Sequence, residues 1–289
     1  MLASLTVYLF PVEKAVLPPT MGHYVHAVFL DISRQMDDKM AERLHMDQPY
    51  KPFTVSPLQG KFDKQSKGKI FIRAGTECWV RFTILDDHLL SAVVRFFLEG
   101  KSSMLRLGDS IFQITEVTTD RGDTGGDWSA CTTFEELLDS SSPFDKLGIR
   151  FYSPTAFKVH DQRTNHAQNH VFPDPLHCFQ SWLGKWNALS KIHVDEDTLL
   201  AFIQQHIQFS RYSVKTRIMN FGGYKQLGFV GDCEYRFVNN TSSVGSNGAN
   251  GKSKDLLKQA EALAKFAFYS GTGYKTTMGM GQTRRQATV

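Results

Sequence analysis

An α+β fold made of two successive copies of one strand-and-helix plan is what this sequence predicts. Three observations carry that expectation. The length of 289 residues suits two ordinary domains. Short alternating apolar runs, the mark of half-buried strands, are interleaved with longer stretches of 3.6-residue periodicity, the mark of amphipathic helices. The first half reads strand, helix, strand, strand, helix, strand, which is the ferredoxin-like signature, and a related order returns after a break near Ser140–Lys146. Domains are therefore expected at 1–143 and 144–289.

In order, residues 3–10 alternate as a strand and Gly22 to Gln35 reads as a helix. A second short helix covers Met36–Met46, and Pro49 and Pro52 punctuate the loop after it. Strands are expected at Phe53–Ser56, Lys69–Ala74 and Cys78–Leu85, a helix at Asp87–Leu98, a strand at Ile111–Thr118 and a glycine-containing loop at Asp120–Asp127. The second half opens with a strand at Leu147–Tyr152 and a polar, histidine-rich loop at His160–His170. Helices follow at Pro173–Leu189 and Asp195–Phe209, then strands at Tyr212–Met219 and Cys233–Val238. Asn239–Ser253, rich in Asn, Ser and Gly, is expected to be a mobile loop. A helix at Asp255–Tyr269 and a strand at Met278–Arg284 close the chain.

Composition narrows the function. Hydrophobic content of 41% with 22 Phe supports a real core, and 21% charged residues is ordinary for a soluble protein. The net charge of +4 and pI near 8.8 fit a local basic surface without proving one. Cys78, Cys131, Cys178 and Cys233 are far apart, with no C-x-x-C pair, so neither zinc nor a disulfide framework is expected and no cofactor is called for. The amino terminus lacks a basic stretch ahead of an apolar one, and no apolar run reaches the 18 or so residues of a membrane span, so a cytoplasmic protein without membrane contact is expected. The sequons at Asn239 and Asn240 carry no meaning without a secretory signal.

The last stretch is the richest in chemistry. Gly271, Gly273, Gly279 and Gly281 stand beside Lys275, Arg284 and Arg285. Glycine lets backbone N–H groups approach a polyanion and adopt positive φ, while the cations supply charge for phosphates. A nucleotide P-loop needs Gly before Lys, but Tyr274 stands there and a helix precedes it; the dinucleotide pattern lacks its third Gly at Thr276. A backbone-cradling RNA loop is the preferred reading, beside a bland one in which the glycines cap a helix and turn the chain.

A second constellation lies at Leu44–Leu58. His45 is expected at the C-terminal end of a short helix, where the macrodipole favours imidazolium, and the prolines stiffen the loop that returns Lys51 toward it. A histidine that exchanges a proton near neutral pH and a fixed ammonium together suit RNA strand scission, in which the RNA supplies its own 2′-hydroxyl nucleophile and no metal is required. From spacing alone, a surface histidine and a solvated lysine are the stronger reading.

Motifs alter that balance. Leu44-His45, then after five residues Lys51-Pro-Phe-Thr-Val-Ser-Pro-Leu58, resembles the CRISPR-associated endoribonuclease family that cuts precursor CRISPR RNA within its repeats. Phe151-Tyr-Ser-Pro-Thr-Ala-Phe157, Phe172-Pro-Asp-Pro175, Lys185-Trp-Asn187, Tyr224-Lys225 through Gly228-Phe-Val-Gly231, and Phe266 through Gly281 resemble it too, in the expected order over nearly the whole chain. The resemblance implies two tandem ferredoxin-like domains of the repeat-associated RNA-binding superfamily. It also implies metal-independent cleavage leaving a 5′-hydroxyl and a 2′,3′-cyclic phosphate or 3′-phosphate. His45 then matches the catalytic histidine, Lys51 the catalytic lysine, and the glycine-rich segment an RNA-binding loop. Some members carry a tyrosine on the first helix where Leu30 stands here; His26, one turn earlier on the same face, is the candidate substitute for that third group, beside the commoner reading of a helix-face histidine as a packed structural residue. CRISPR repeat RNA is the implied partner, with effector-complex subunits as further partners.

Other residues weigh less. His160, His166 and His170 lack a cysteine or carboxylate frame, so a solvated loop is expected rather than a metal site. Trp182 and Trp186, four apart on an apolar face, read as core. Phe221-Gly-Gly-Tyr224-Lys225 suits base stacking or backbone contact and equally a plain hairpin turn. The alternative function is a non-catalytic repeat-RNA-binding subunit; a protein-interaction module is more remote.

Overall fold

A computed structural model of the chain describes residues 1–46, 48–66, 68–100, 103–119, 128–161, 166–238 and 247–286; for 45, 64–66, 160, 161, 166 and 247–250 it describes the backbone alone. Two compact units result, and one cut in the sequence does not separate them. Unit 1 takes Met1–Thr132 together with Met219–Gln226 and Lys275–Met280; unit 2 takes Thr133–Ile218, Leu227–Tyr274 and Gly281–Val289.

Unit 1 is built on β1 (Leu2–Pro11), α1 (Gly22–Met36), α2 (Asp38–His45), β2 (Phe53–Val55), β3 (Cys78–Ile84), α3 (Asp87–Leu98) and β4 (Ser110–Thr118). The strand order β2-β3-β1-β4 is the ferredoxin-like arrangement, extended by Met104–Leu107 beyond β4 and by short strands at Gln59–Gly60 and Ala130–Thr132. Every pairing with β1 is antiparallel, Leu5 opposite Phe82 and Val7 opposite Val80 and Val117. Leu5, Val7 and Leu9 meet Val25, Phe29 and Ile32 of α1 and Leu89, Val93 and Phe96 of α3 in one core. β1 is buried along almost its whole length rather than on alternate residues. Its second face is covered too: Ser129 Oγ bonds Thr6 Oγ1 at 2.8 Å, and buried Arg81 donates to Ser4 Oγ at 2.6 Å while its guanidinium lies 4.8 Å from the Trp128 ring. Asp37 and Asp86 cap α2 and α3, accepting from Lys39 N and Leu89 N.

Unit 2 repeats the plan with α4 (Phe134–Asp139), β5 (Lys146–Thr155), α5 (Pro175–Leu189), α6 (Glu196–His206), β6 (Ile207–Asn220), β7 (Lys225–Phe237), α7 (Asn247–Ser270) and β8 (Thr283–Gln286). Its sheet order, β6-β7-β5-β8, is again ferredoxin-like. Trp182 and Trp186 are fully buried, as their spacing predicts, Trp182 Nε1 donating to Thr272 Oγ1 and Trp186 Nε1 to Ile192 O. Asp174 accepts from Leu176 N and His177 N at the start of α5, where Pro175 needs no partner.

Several expectations need correction. In place of the loop expected at His160–His170, Phe157–Asp161 pairs antiparallel with His166–His170, because backbone pairing makes no demand for apolar side chains. α7 starts at Asn247, inside the segment read as a loop; residues 239–246 and the 120–127 loop lie outside the described residues. The last strand begins at Thr283 rather than Met278, since Thr276–Met278 forms a 3-10 turn bounded by left-handed residues at Lys275 and Gly279. A capping box of Thr133 and Glu136, visible in the sequence as Thr-x-x-Glu, opens α4.

Candidate active site

Four segments of unit 1 meet at the first turns of α1. Gly22 opens that helix with no side chain because the backbone of the 3-10 turn lies against it: a Cβ there would overlap Met278 O. Gly279 answers from the other side, where a Cβ would come within 3.0 Å of Gly22 Cα and 3.2 Å of Pro57 Cδ. Thr20 pins the approach, its hydroxyl donating to Asn220 O at 2.5 Å and accepting from Asn220 N at 3.0 Å.

The close approach sets His26. Its Nδ1 lies 2.8 Å from Thr277 O, and its ring stacks on Phe53 at 5.8 Å and 19°, Phe53 stacking in turn on Phe29 at 4.3 Å. A carbonyl only accepts, so Nδ1 carries the hydrogen and the neutral ring keeps its lone pair on Nε2. His23, one turn earlier, sits 4.1 Å from the Tyr24 ring; burial pushes its imidazole below the ordinary value, and its Nδ1 is buried with no hydrogen-bond partner among the described residues. Leu30 is core and contributes no polar group.

His45 is the last residue of α2, as expected, with its side chain outside the described part. Lys51 donates from Nζ to Met46 O, the carbonyl that follows His45, so the loop between them closes on the negative end of α2. The glycine-rich segment differs more from expectation. Lys275 is left-handed at φ 57, the one non-glycine residue with positive φ among those described. Its ammonium bonds Tyr224 Oη and lies 4.1 Å from that ring's centre and 4.8 Å from that of Phe221. Phe221 and Tyr224 themselves stack at 5.1 Å across the turn closed by Phe221 N donating to Tyr224 O. Tyr224 and Lys225 are exposed.

In unit 2, Gly271, Gly273 and Gly281 all have positive φ, and at two of them the space the missing side chain leaves is filled by the protein itself: a Cβ would overlap Ala156 O at 273 and Thr272 O at 281. The amides are spent internally as well. Gly271, Thr272, Gly273, Tyr274 and Gly281 donate to Ala267 O, Gly281 O, Ser181 Oγ, Ala156 O and Pro154 O. Beneath them the buried Lys185 donates to Ser270 O and Gly271 O at 3.0 Å each, and burial pushes its ammonium down to about 7. Arg285 pairs with buried Glu261 at 2.6 Å, and Arg284 lies 5.7 Å from the Phe268 ring. Sequence reasoning missed a cavity of about 330 Å³ on this unit's sheet, where Arg150, Lys215 and Arg217 meet Tyr152; the alternate-residue spacing of Lys215 and Arg217 was the available signal. No group of three or more His, Cys, Asp or Glu suited to a metal ion occurs among the described residues.

The sequence model for the CRISPR Cas6 N-terminal domain matches residues 1–139, and that for CRISPR-associated endoribonuclease Cas6 matches residues 149–283. The chain belongs to the Cas6 endoribonuclease family. A Streptococcus thermophilus Cas6 is 23% identical over 255 residues, 86% of each chain. Mycobacterium tuberculosis Cas6 is 30% identical over 142 residues, 49% of this chain and 39% of that one. Among solved structures, a Thermus thermophilus Cas6 product complex has a TM-score of 0.79 at 26% identity, covering 99% of this chain and 100% of that chain. As a Cas6, the protein is an RNA endonuclease of CRISPR RNA processing. No helix among the described residues is long and apolar enough to cross a membrane.

Proposed function

We propose that this Cas6 cuts precursor CRISPR RNA within each repeat by a metal-independent reaction on the RNA's own 2′-hydroxyl. The 2′-oxygen attacks the adjacent phosphorus and passes its proton to a histidine. The bond from phosphorus to the 5′-oxygen breaks, and that oxygen takes a proton from a second group. The products are a 2′,3′-cyclic phosphate, open to hydrolysis to a 3′-phosphate, and a 5′-hydroxyl. His45 and His26 are the proton-transfer pair, and Lys51 steadies charge on the phosphorane. The observation that carries this reading is the bond from His26 Nδ1 to Thr277 O, which supports Nε2 as the nitrogen that exchanges protons.

In the same reading, residues 1–143 supply the histidines and 144–289 most of the RNA surface. Exposed Tyr224 and Lys225 and half-buried Arg284 are the preferred contacts, joined by the cations around Arg150 and Lys215. Gly271, Gly273, Gly279 and Gly281 act by shaping the segment rather than by cradling phosphate, and Arg285 acts chiefly on Glu261.

One experiment tests the chemistry. Repeat RNA incubated with protein in EDTA should be cut, while the same RNA with a single 2′-deoxy nucleotide upstream of the cut should bind and stay whole. His45→Ala should slow cleavage by roughly 10²–10⁴-fold with affinity close to wild type. Loss of activity on chelation, or cutting of the deoxy substrate, overturns the proposal. Tight binding without any cutting supports a non-catalytic RNA-binding subunit instead.

A further inference from the structure

Lys275 stands where sequence logic puts a phosphate ligand, yet its ammonium is already engaged. It is bonded to Tyr224 Oη and clasped over the stacked rings of Phe221 and Tyr224. A non-glycine residue held at φ 57 is strained and persists only where its surroundings enforce it. Here its surroundings are the clasp on its side chain and the two amides that donate to its carbonyl. The backbone consequence follows at once, because Lys275 O accepts from both Met278 N at 2.9 Å and Met280 N at 3.2 Å. The 3-10 turn Thr276–Met278 is thus folded on Lys275, and its central carbonyl, Thr277 O, is the one that receives His26 Nδ1–H.

The partner of the clasp is fixed as well. The turn carrying Phe221 and Tyr224 is tied through Asn220 to Thr20, two residues ahead of the glycine that opens α1. A chain of contacts therefore runs from the Lys275 ammonium through the 3-10 turn to the imidazole, and returns through the aromatic turn to the helix that bears it.

We propose that Lys275 is a positioning residue that selects the Nδ1–H tautomer of His26 and so keeps the lone pair of the neutral ring on Nε2. Neutral histidine in water favours the other tautomer, with the hydrogen on Nε2. Thr277 O reverses that preference only while the turn holds it within hydrogen-bond distance. The catalytic consequence rests on the reading of His26 as a proton-transfer group given above; the tautomer itself does not.

Lys275→Gly separates the two roles of this residue, since glycine accepts the left-handed backbone without strain while removing the ammonium. Lys275→Arg keeps a cation over the two rings. Long-range ¹H–¹⁵N spectra of the His26 ring and single-turnover cleavage of repeat RNA are measured for wild type and both variants. Wild type and Lys275→Arg should show hydrogen on Nδ1. Lys275→Gly should show a mixture or hydrogen on Nε2, with the saturating rate down about 10–100-fold, the scale of lost outer-shell hydrogen bonds, and RNA affinity nearly unchanged. The proposal fails if Lys275→Gly keeps both the Nδ1–H pattern and the rate. It also fails if the whole loss lies in affinity, with the salt slope of log K shallower by about one, for Lys275 is then a phosphate ligand. His26→Ala with wild-type rate overturns the catalytic consequence separately from the tautomer result.

Discussion

Backbone carbonyls do much of the placing in this protein. Thr277 O orients His26, Met46 O holds Lys51, and the carbonyls of Ser270 and Gly271 hold Lys185. The third case has a measurable signature. Burial lowers the Lys185 ammonium from its ordinary 10.5 to about 7, so between those values the unfolded chain keeps a proton that the folded chain has released. Unfolding then takes up a proton, and folding gains from each rise in pH across that window. Wild-type stability relative to Lys185→Met should therefore increase from pH 7 to pH 9, by at most about 1.4 kcal/mol per unit. Urea unfolding of both proteins at three pH values measures it, and parallel pH curves would show that Lys185 stays charged. Little of this was legible from sequence. His45, Lys51 and His26 were named by motif and helical spacing, but the acceptors that fix His26 and Lys185 lie 251 and 85 or more residues away. A carbonyl, moreover, carries no side-chain signal.

At the level of elements, the glycine-rich segment is a piece of construction. Its left-handed glycines let one stretch of backbone lie directly on another, at Ala156 for Gly273 and at Thr272 for Gly281. Gly273→Ala should accordingly cost more than the 1–3 kcal/mol of positive φ alone, whereas Gly222→Ala, with φ 87 but nothing within 4 Å of its Cβ position, should cost about 1 kcal/mol. Chemical denaturation decides between them. If Gly273→Ala is as stable as wild type and loses only RNA affinity, the amide cradle is restored. α1 and α3 were readable to within a residue or two because each has an apolar helical period and a buried face, and β3 and β4 because their β-branched and aromatic residues favour strand. The pairing of Phe157–Asp161 with His166–His170 was not, since pairing is a property of the backbone and the second strand is mostly polar. Met278–Gln282 reads as strand because alternating Met and Gly imitate a pleat when the left-handed φ values of Gly279 and Gly281 are unknown.

For the molecule as a whole, the two ferredoxin-like domains were foreseeable from the repeated element order, but the traffic between halves of the sequence was not. Unit 1 keeps its core within residues 3–112 yet includes Met219–Gln226 and Lys275–Met280 from far downstream. A fragment of residues 1–143 should therefore still unfold cooperatively, at a lower midpoint, and should not cut repeat RNA although it contains His26, His45 and Lys51. Wild-type cutting by that fragment would remove the downstream segments from the site. The same arrangement imposes a timetable on the protein as it is made. Ribosomes add roughly 5–20 residues per second, so the stretch from 133 to 274 separates the first unit's sheet from the segment Lys275–Met280 by roughly seven to thirty seconds. Throughout that interval the nascent chain carries its histidines without the carbonyl that orients one of them. If His26 acts as proposed, a chain halted before residue 275 is a nuclease in composition only, and its activity waits on the segment Lys275–Met280.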